Sequence, residues 1–296
     1  MRIAAVSLCA FLAAAALISR FQPWPQIKGA VMFEPGSAKN DLSRQIASGL
    51  TEPAKALART MPTSDVGEVL QQQAGHEKAS ARLLVLELAS LMHSEGASRA
   101  ILSRLTDANL TVRSIANSLI ATIAQPSLVE ELLKALEQND DLVIKGALAK
   151  QIGMIGNPSP LPQLRALHRT TREAGLRHDL SIAMARLGDE QHRQELIQRL
   201  GAPTETARMA AIDDVLYTGD ATLVRYFRPL LEDRRDAVAI SLPHDPVVAA
   251  RVCDLAIRAM AALNIRLSFS TAPLRRFDEM EIQEALQIMT ALESTP

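Results

Sequence analysis

The chain has 296 residues, enough for one large or two ordinary domains, with 48% hydrophobic but only 3% aromatic side chains. That mix favours a helical core of Ala and Leu over a β-sandwich, whose strands draw on β-branched and aromatic residues. A net charge of −1 excludes a global field that would steer the protein to nucleic acid or to an anionic membrane.

The chain opens with Arg2 and an apolar run from Ile3 to Ile18 broken only by Ser7. Residues 1–19 therefore read as a secretory signal peptide ending near Ala14-Ala15-Ala16. Because Leu17 and Ile18 extend the run, the alternative is an uncleaved N-terminal membrane anchor. Either way the remainder is exported. The expected location is periplasmic, soluble after cleavage or tethered to the inner membrane. Cys9 lies in this leader and Cys253 stands alone beyond it, so no internal disulfide is expected.

Residues 20–76 read as a Pro-rich linker followed by short capping helices. Thr51-Glu52-Pro53 is expected to open one of them, and Asp65 with Glu68 to form the capping box of another.

From residue 77 to 236 one pattern recurs. The basic residues Arg82, Arg113, Lys145, Arg177 and Arg208 are spaced by 31, 32, 32 and 31. Steps of three, seven and ten from each give Val85, Ala116, Leu148, Leu180 and Ala211; then Ala89, Ile120, Ile152, Met184 and Val215; then Met92, Ile123, Ile155, Leu187 and Thr218. These offsets share one helical face, so each unit carries a first helix with a buried stripe. A second helix contributes Ile101, Leu132, Leu164, Leu196 and Phe227, followed one turn on by Leu105, Leu136, His168, Leu200 and Leu231. Gly156, Gly188 and Gly219 sit where a left-handed residue should end the first helix, and Asn157, Asp189 and Asp220 can cap the next.

Residues 237–296 hold a divergent sixth repeat. An insertion follows Leu231, and Cys253, Ile257 and Met260 then fill the three core columns. Alternation of Ile265, Leu267 and Phe269 suggests a short strand or extended arm, and a last helix from about Asp278 to Leu292 a C-terminal cap. The fold expected is all-α: an α-solenoid of about six stacked helical hairpins, with an irregular N-terminal segment and a C-terminal cap.

The basic residue, apolar face, Leu-Gly-Asp corner and Leu-rich second helix resemble HEAT repeats, in the short form of phycobilisome-lyase-type proteins. The resemblance spans residues 77–236 well and 246–293 loosely. It implies a superhelix whose second helices line a concave face, and a function as scaffold, adaptor or, less commonly, enzyme.

No catalytic or metal-binding residue set emerges. The chain lacks a Gly-x-Ser-x-Gly elbow, a phosphate-cradling loop and histidines at metal-ligand spacing, so no cofactor is expected. Asp213-Asp214 and Glu130-Glu131 are adjacent on helices and diverge. Cys253 and His168 occupy core columns. The basic column, with nearby acids Glu77, Asp107, Asp140, Asp141 and Glu205, reads as a structural charge ladder, with a ligand-binding ridge as the alternative.

Partner-binding candidates are the second-helix arginines Arg165, Arg169, Arg193, Arg199, Arg225 and Arg228, with Tyr217 and Tyr226 as an interface anchor or a cover for the array's end. The arginines would suit an acidic protein partner, although residues 160–235 hold 12 basic and 11 acidic side chains. The reading is an exported, non-catalytic protein-interaction scaffold or assembly factor. A lyase-like enzyme and a binder of anionic envelope polymer or lipid headgroups are the alternatives. Nucleic acid is not expected, because stacking aromatics are scarce and the chain reads as exported.

Overall fold

The computed structural model describes residues 37–240, 248–272 and 275–294. The leader, and the linker up to residue 36, lie outside them. Two compact units divide the chain, one running to Ala183 and the other starting at Met184.

The N-terminal unit begins with α1 (Ser37–Ala47), α2 (Thr51–Thr60) and α3 (Thr63–Gln73). Thr51-Glu52-Pro53 opens α2 as expected. The Asp65–Glu68 box does not form, because α3 starts three residues earlier than such a box would set it, behind Pro62, which has no side-chain cap. Both acids instead grip Lys39 Nζ, at 3.1 and 2.6 Å. Three hairpins follow: α4 (Ala79–Ser90) with α5 (Glu95–Leu102), α6 (Leu110–Ser118) with α7 (Val129–Gln138), and α8 (Leu142–Ile155) with α9 (Leu161–Thr170). Helix α10 (Ala174–Arg186) carries the boundary between the units. In the second hairpin a 3₁₀ turn at Ile120–Thr122 extends the first helix, and another at Pro126–Leu128 leads into the second.

The repeat columns are the core. Val85, Ala116, Leu148, Leu180, Ala89, Ile120, Ile152, Met92 and Ile123 are buried in this unit, as are Ile101, Leu132, Leu164, Leu105 and Leu136. Ile155 and His168 are half-buried, the two soft points of the pattern. Packing is closest where α3 meets α5. A Cβ on Gly96 would lie 2.3 Å from the backbone oxygen of Gly67, so only glycine permits that approach.

In the C-terminal unit α11 (Glu190–Leu200), α12 (Glu205–Thr218), a 3₁₀ helix at Ala221–Tyr226 and α13 (Arg228–Leu231) continue the pattern. The insertion folds into an antiparallel pair, β1 (Asp236–Ile240) and β2 (Val248–Arg251), with a bulge between Asp236 and Val238. The strand suggested for Ile265–Phe269 is not formed, and that stretch is irregular. The backbone of residues 238–240 pairs with that of residues 248–250, whereas Ile265, Leu267 and Phe269 pack against the core as an arm.

Next comes α14 (Val252–Ala262), with Cys253, Ile257 and Met260 buried as the sixth register requires. The last helix, α15 (Glu279–Glu293), packs on the 3₁₀ helix, α13 and α14. It buries Ile282, Ala285 and Met289 in one cluster with Phe227, Leu231 and Ile257. Thus the expected cap doubles as the second helix of the sixth hairpin. Buried Asp254 ties the long connection down: it accepts from Arg251 Nε at 3.0 Å and from the Phe277 backbone N–H at 3.0 Å.

The corners form as their sequence implies. Gly156, Gly188 and Gly219 adopt φ of 78°, 88° and 66°. Asp189 then accepts from His192 N–H and caps α11, and Asp220 caps the 3₁₀ helix through Thr222 N–H. Asn157 differs: it closes a local turn through Ser159 N–H, and Pro160 leads into α9.

Candidate functional site

The basic column is built first by local geometry. From its place in the first turn, an arginine can fold back to the carbonyl six residues earlier. Arg82 does so to His76 O at 2.7 Å, Arg113 to Asp107 O at 2.5 Å and Arg208 to Ala202 O at 2.7 Å. These bonds occupy carbonyls of the turn that precedes each first helix and offset the unfavourable position of the cation near its N-terminus.

An acid 25 residues on completes two rungs: Arg82 meets buried Asp107 at 2.8 Å, and Arg208 meets buried Asp233 at 2.9 Å. Arg235 also binds Asp233, at 2.6 Å, and this hydrogen bond is the main reason its carboxyl lies low, at about 2. The ladder is therefore structural, and Asp107 and Glu205 take part in it. Asp141 caps α8 instead, and Glu77 contributes its carbonyl.

Arg177 departs from this device. It is exposed, whereas Arg82, Arg113 and Arg208 are half-buried. The sequence supplies Ala202, without a charge, 25 residues on.

The expected second-helix arginines separate into two groups. In the C-terminal unit Arg193 binds Asp220 at 3.0 Å, Arg199 binds buried Asp214 at 2.5 Å, and Arg228 reaches Thr290 and Glu293, both at 3.1 Å. Arg225 lies half-buried in the 3₁₀ helix. An open groove of about 660 Å³ between α13 and α15 is lined by Arg228, Arg234, Glu232, Gln283 and Leu286. Its arginines are already answered, since Arg234 binds Glu279 at 3.2 Å. In the N-terminal unit Arg165 and Arg169 are both exposed, one turn apart on one face of α9.

The tyrosines also separate. Tyr226 is exposed, but Tyr217 is only 4% exposed, with the Arg186 guanidinium 5.5 Å from its ring centre. Its burial on α12 corrects its reading as a surface anchor and fits the alternative, a cover within the array. Asp213 is pushed up to about 6, chiefly by burial and secondarily by the charge of Asp214. Asp214 itself pairs with Arg199.

An apolar surface in the N-terminal unit was not anticipated from sequence. Leu110 and Leu142 stand first in α6 and α8, 32 residues apart, and are 68% and 46% exposed; Val143 is 71% exposed. On the same unit an open groove of about 470 Å³ is lined by Leu83, Leu84, Leu86, Ile115 and Leu119. The available signal was that these side chains fall outside the core columns yet are not polar.

Among the described residues no group of three or more His, Cys, Asp and Glu side chains is placed to hold a metal ion. No described helix is long and apolar enough to cross a membrane.

Stacked hairpins, αL glycine corners and a charge ladder define an all-α solenoid repeat protein. Residues 98–185 match the family model described as HEAT repeats, and over that stretch the chain is HEAT-like. No curated protein matches the sequence. A similar solved structure is the complex of CpcE and CpcF of phycocyanin lyase from Nostoc sp. PCC7120, at 14% identity and a TM-score of 0.43, covering 92% of this chain and 98% of that one.

Proposed function

We propose that the protein is an exported, non-catalytic protein-interaction scaffold or assembly factor. The observation that carries this reading is the exposed apolar row at the starts of α6 and α8: Leu110, Leu142 and Val143. Large aliphatic side chains repeated at equivalent positions of adjacent hairpins gain nothing from water, and their burial against a partner is favourable by about 25 cal/mol per Å². Export is supported by the apolar run at residues 3–18. The second-helix face of α9 supplies a polar complement through Arg165 and Arg169.

The test is capture of partners from envelope extract by the leaderless protein and by a Leu110→Asp/Val143→Asp variant, at low and high salt. One protein retained by the unaltered chain at high salt and lost by the variant supports the reading. Equal capture by both forms, or no specific capture, refutes it. Mass measurement of the mature N-terminus tests export: a chain that keeps residues 1–19 and fractionates with the cytoplasm would refute that half.

A further inference from the structure

We infer that the apolar groove across α4 is the docking site of the chain's own segment at residues 20–33. The inference goes beyond the scaffold reading and does not depend on it.

The groove lies within the N-terminal unit. It runs from Thr51 at the start of α2, over Leu83 and Leu86 on α4, to Ile115 and Leu119 on α6. Its volume is about 470 Å³, and Ile115 is 37% exposed. Helices packed side by side lie about 8–10 Å apart, so two spacings give it a length of about 16–20 Å. One end is acidic. Glu52 and Glu87 both hold Lys55 Nζ, at 3.3 and 2.6 Å, and the three side chains together leave one negative charge there.

The occupant is argued from the sequence that leads into the array. Residues 20–33, RFQPWPQIKGAVMF, hold the chain's single Trp, two of its six Phe, two cations and no acid. Such a stretch gains from apolar cover, and its charge complements the acidic end of the groove. Phe21, Trp24 and Ile27 recur every three residues, with Pro23 and Pro25 between them. Proline favours polyproline II, whose three residues per turn set these side chains on one edge about 19 Å long. That length matches the groove. Arg20 and Lys28 stand just outside the triad at its two ends, so docking in either direction brings a cation to Glu52 and Glu87.

The tether is long enough. Ten steps along the chain join Ile27 to Ser37, where α1 begins, and they reach about 33–36 Å when extended. Helix α1 packs against both α2 and α4, and its 11 residues span only about 16 Å. The segment therefore reaches the groove from either end of α1. Docked there, it covers the apolar face that α4 and α6 leave open and fixes where the leader departs from the array.

Trp24 is the chain's only tryptophan, so its fluorescence reports the segment without background. The protein is purified as it matures in cells. The emission maximum and acrylamide quenching of Trp24 are read in the unaltered chain, in Leu83→Lys/Ile115→Lys, in Phe21→Ser/Ile27→Ser, and in Val143→Asp, which alters an exposed apolar residue outside the groove. The unaltered chain and Val143→Asp are expected to show blue-shifted, poorly quenched emission. Both double variants are expected to shift to the red, with docking weakened about tenfold or more, since each apolar contact removed moves such an equilibrium by about that factor. Circular dichroism reports folding. Phe21→Ser/Ile27→Ser changes no residue of the described helices and carries the test if the groove variant does not fold.

Fully exposed Trp24 in the unaltered chain, emission that a folded double variant leaves unmoved, or an equal shift in Val143→Asp overturns the inference. A blue shift lost on dilution, together with dissociation of a dimer, places the segment on a second copy and also overturns it. None of these results touches capture of a partner through Leu110 and Val143, so the two readings fail separately.

Discussion

Gly96→Ala tests the packing that fixes the first hairpin. The added methyl carbon would sit 2.3 Å from Gly67 O, 2.4 Å from its carbonyl carbon and 2.9 Å from its Cα. Ordinary contact begins near 3.4 Å, and no rotamer change moves a backbone. Helices α3 and α5 must therefore part by roughly 1 Å, loosening buried Val66, Leu70, Ala97 and Ile101. Overpacking of this kind costs about 1–3 kcal/mol, and a rigid backbone partner places the cost near the upper end. The better helix propensity of alanine returns at most about 1 kcal/mol. The net loss is about 2 kcal/mol, a fall in melting temperature of about 4–8 °C at 2–4 °C per kcal/mol. Thermal melts by circular dichroism read it, and hydrogen exchange localises it to α3 and α5. Gly75→Ala is the control, since a Cβ there meets nothing within 4 Å. If Gly96→Ala melts with the unaltered protein, the close backbone approach is wrong.

Two further outcomes follow from local geometry and charge. Gly188→Val should lower the melting temperature through a loss of about 1–2 kcal/mol, because φ of 88° places a β-branched residue in the left-handed region; an unchanged melt would refute the corner assignment. Asp233 has its folded-state pKa lowered from 3.8 to about 2, so its contribution is full above pH 4 and lost as pH falls toward 2. It is worth about 2 kcal/mol, and Asp233→Asn should flatten that part of the acid-denaturation curve; an unaltered slope between pH 4 and 2 would count against the rung.

The repeat was legible because its signals are local. A first-helix stripe needs apolar residues at a helical period, and a tight corner needs a residue that accepts positive φ, so Val85, Ile152 and Gly188 announce their roles within a few positions. The capping box at Asp65 misled because it depended on neighbours, with Lys39 holding both acids; at Ile265 the choice between strand and arm likewise fell to the core, against which the arm packs.

Sequence alone therefore determined the hairpins, their register and the glycine corners. Tertiary structure decided what each arginine is for. Arg82, Arg199 and Arg208 look like Arg169 and Arg177 in the sequence. Arg82, Arg199 and Arg208 are tied into the fold where another segment sets Asp107, Asp214 or Asp233 within about 3 Å, and sequence periodicity carries no record of that distance. The same holds for Leu110 and Val143, whose exposure depends on what packs above them rather than on their own chemistry.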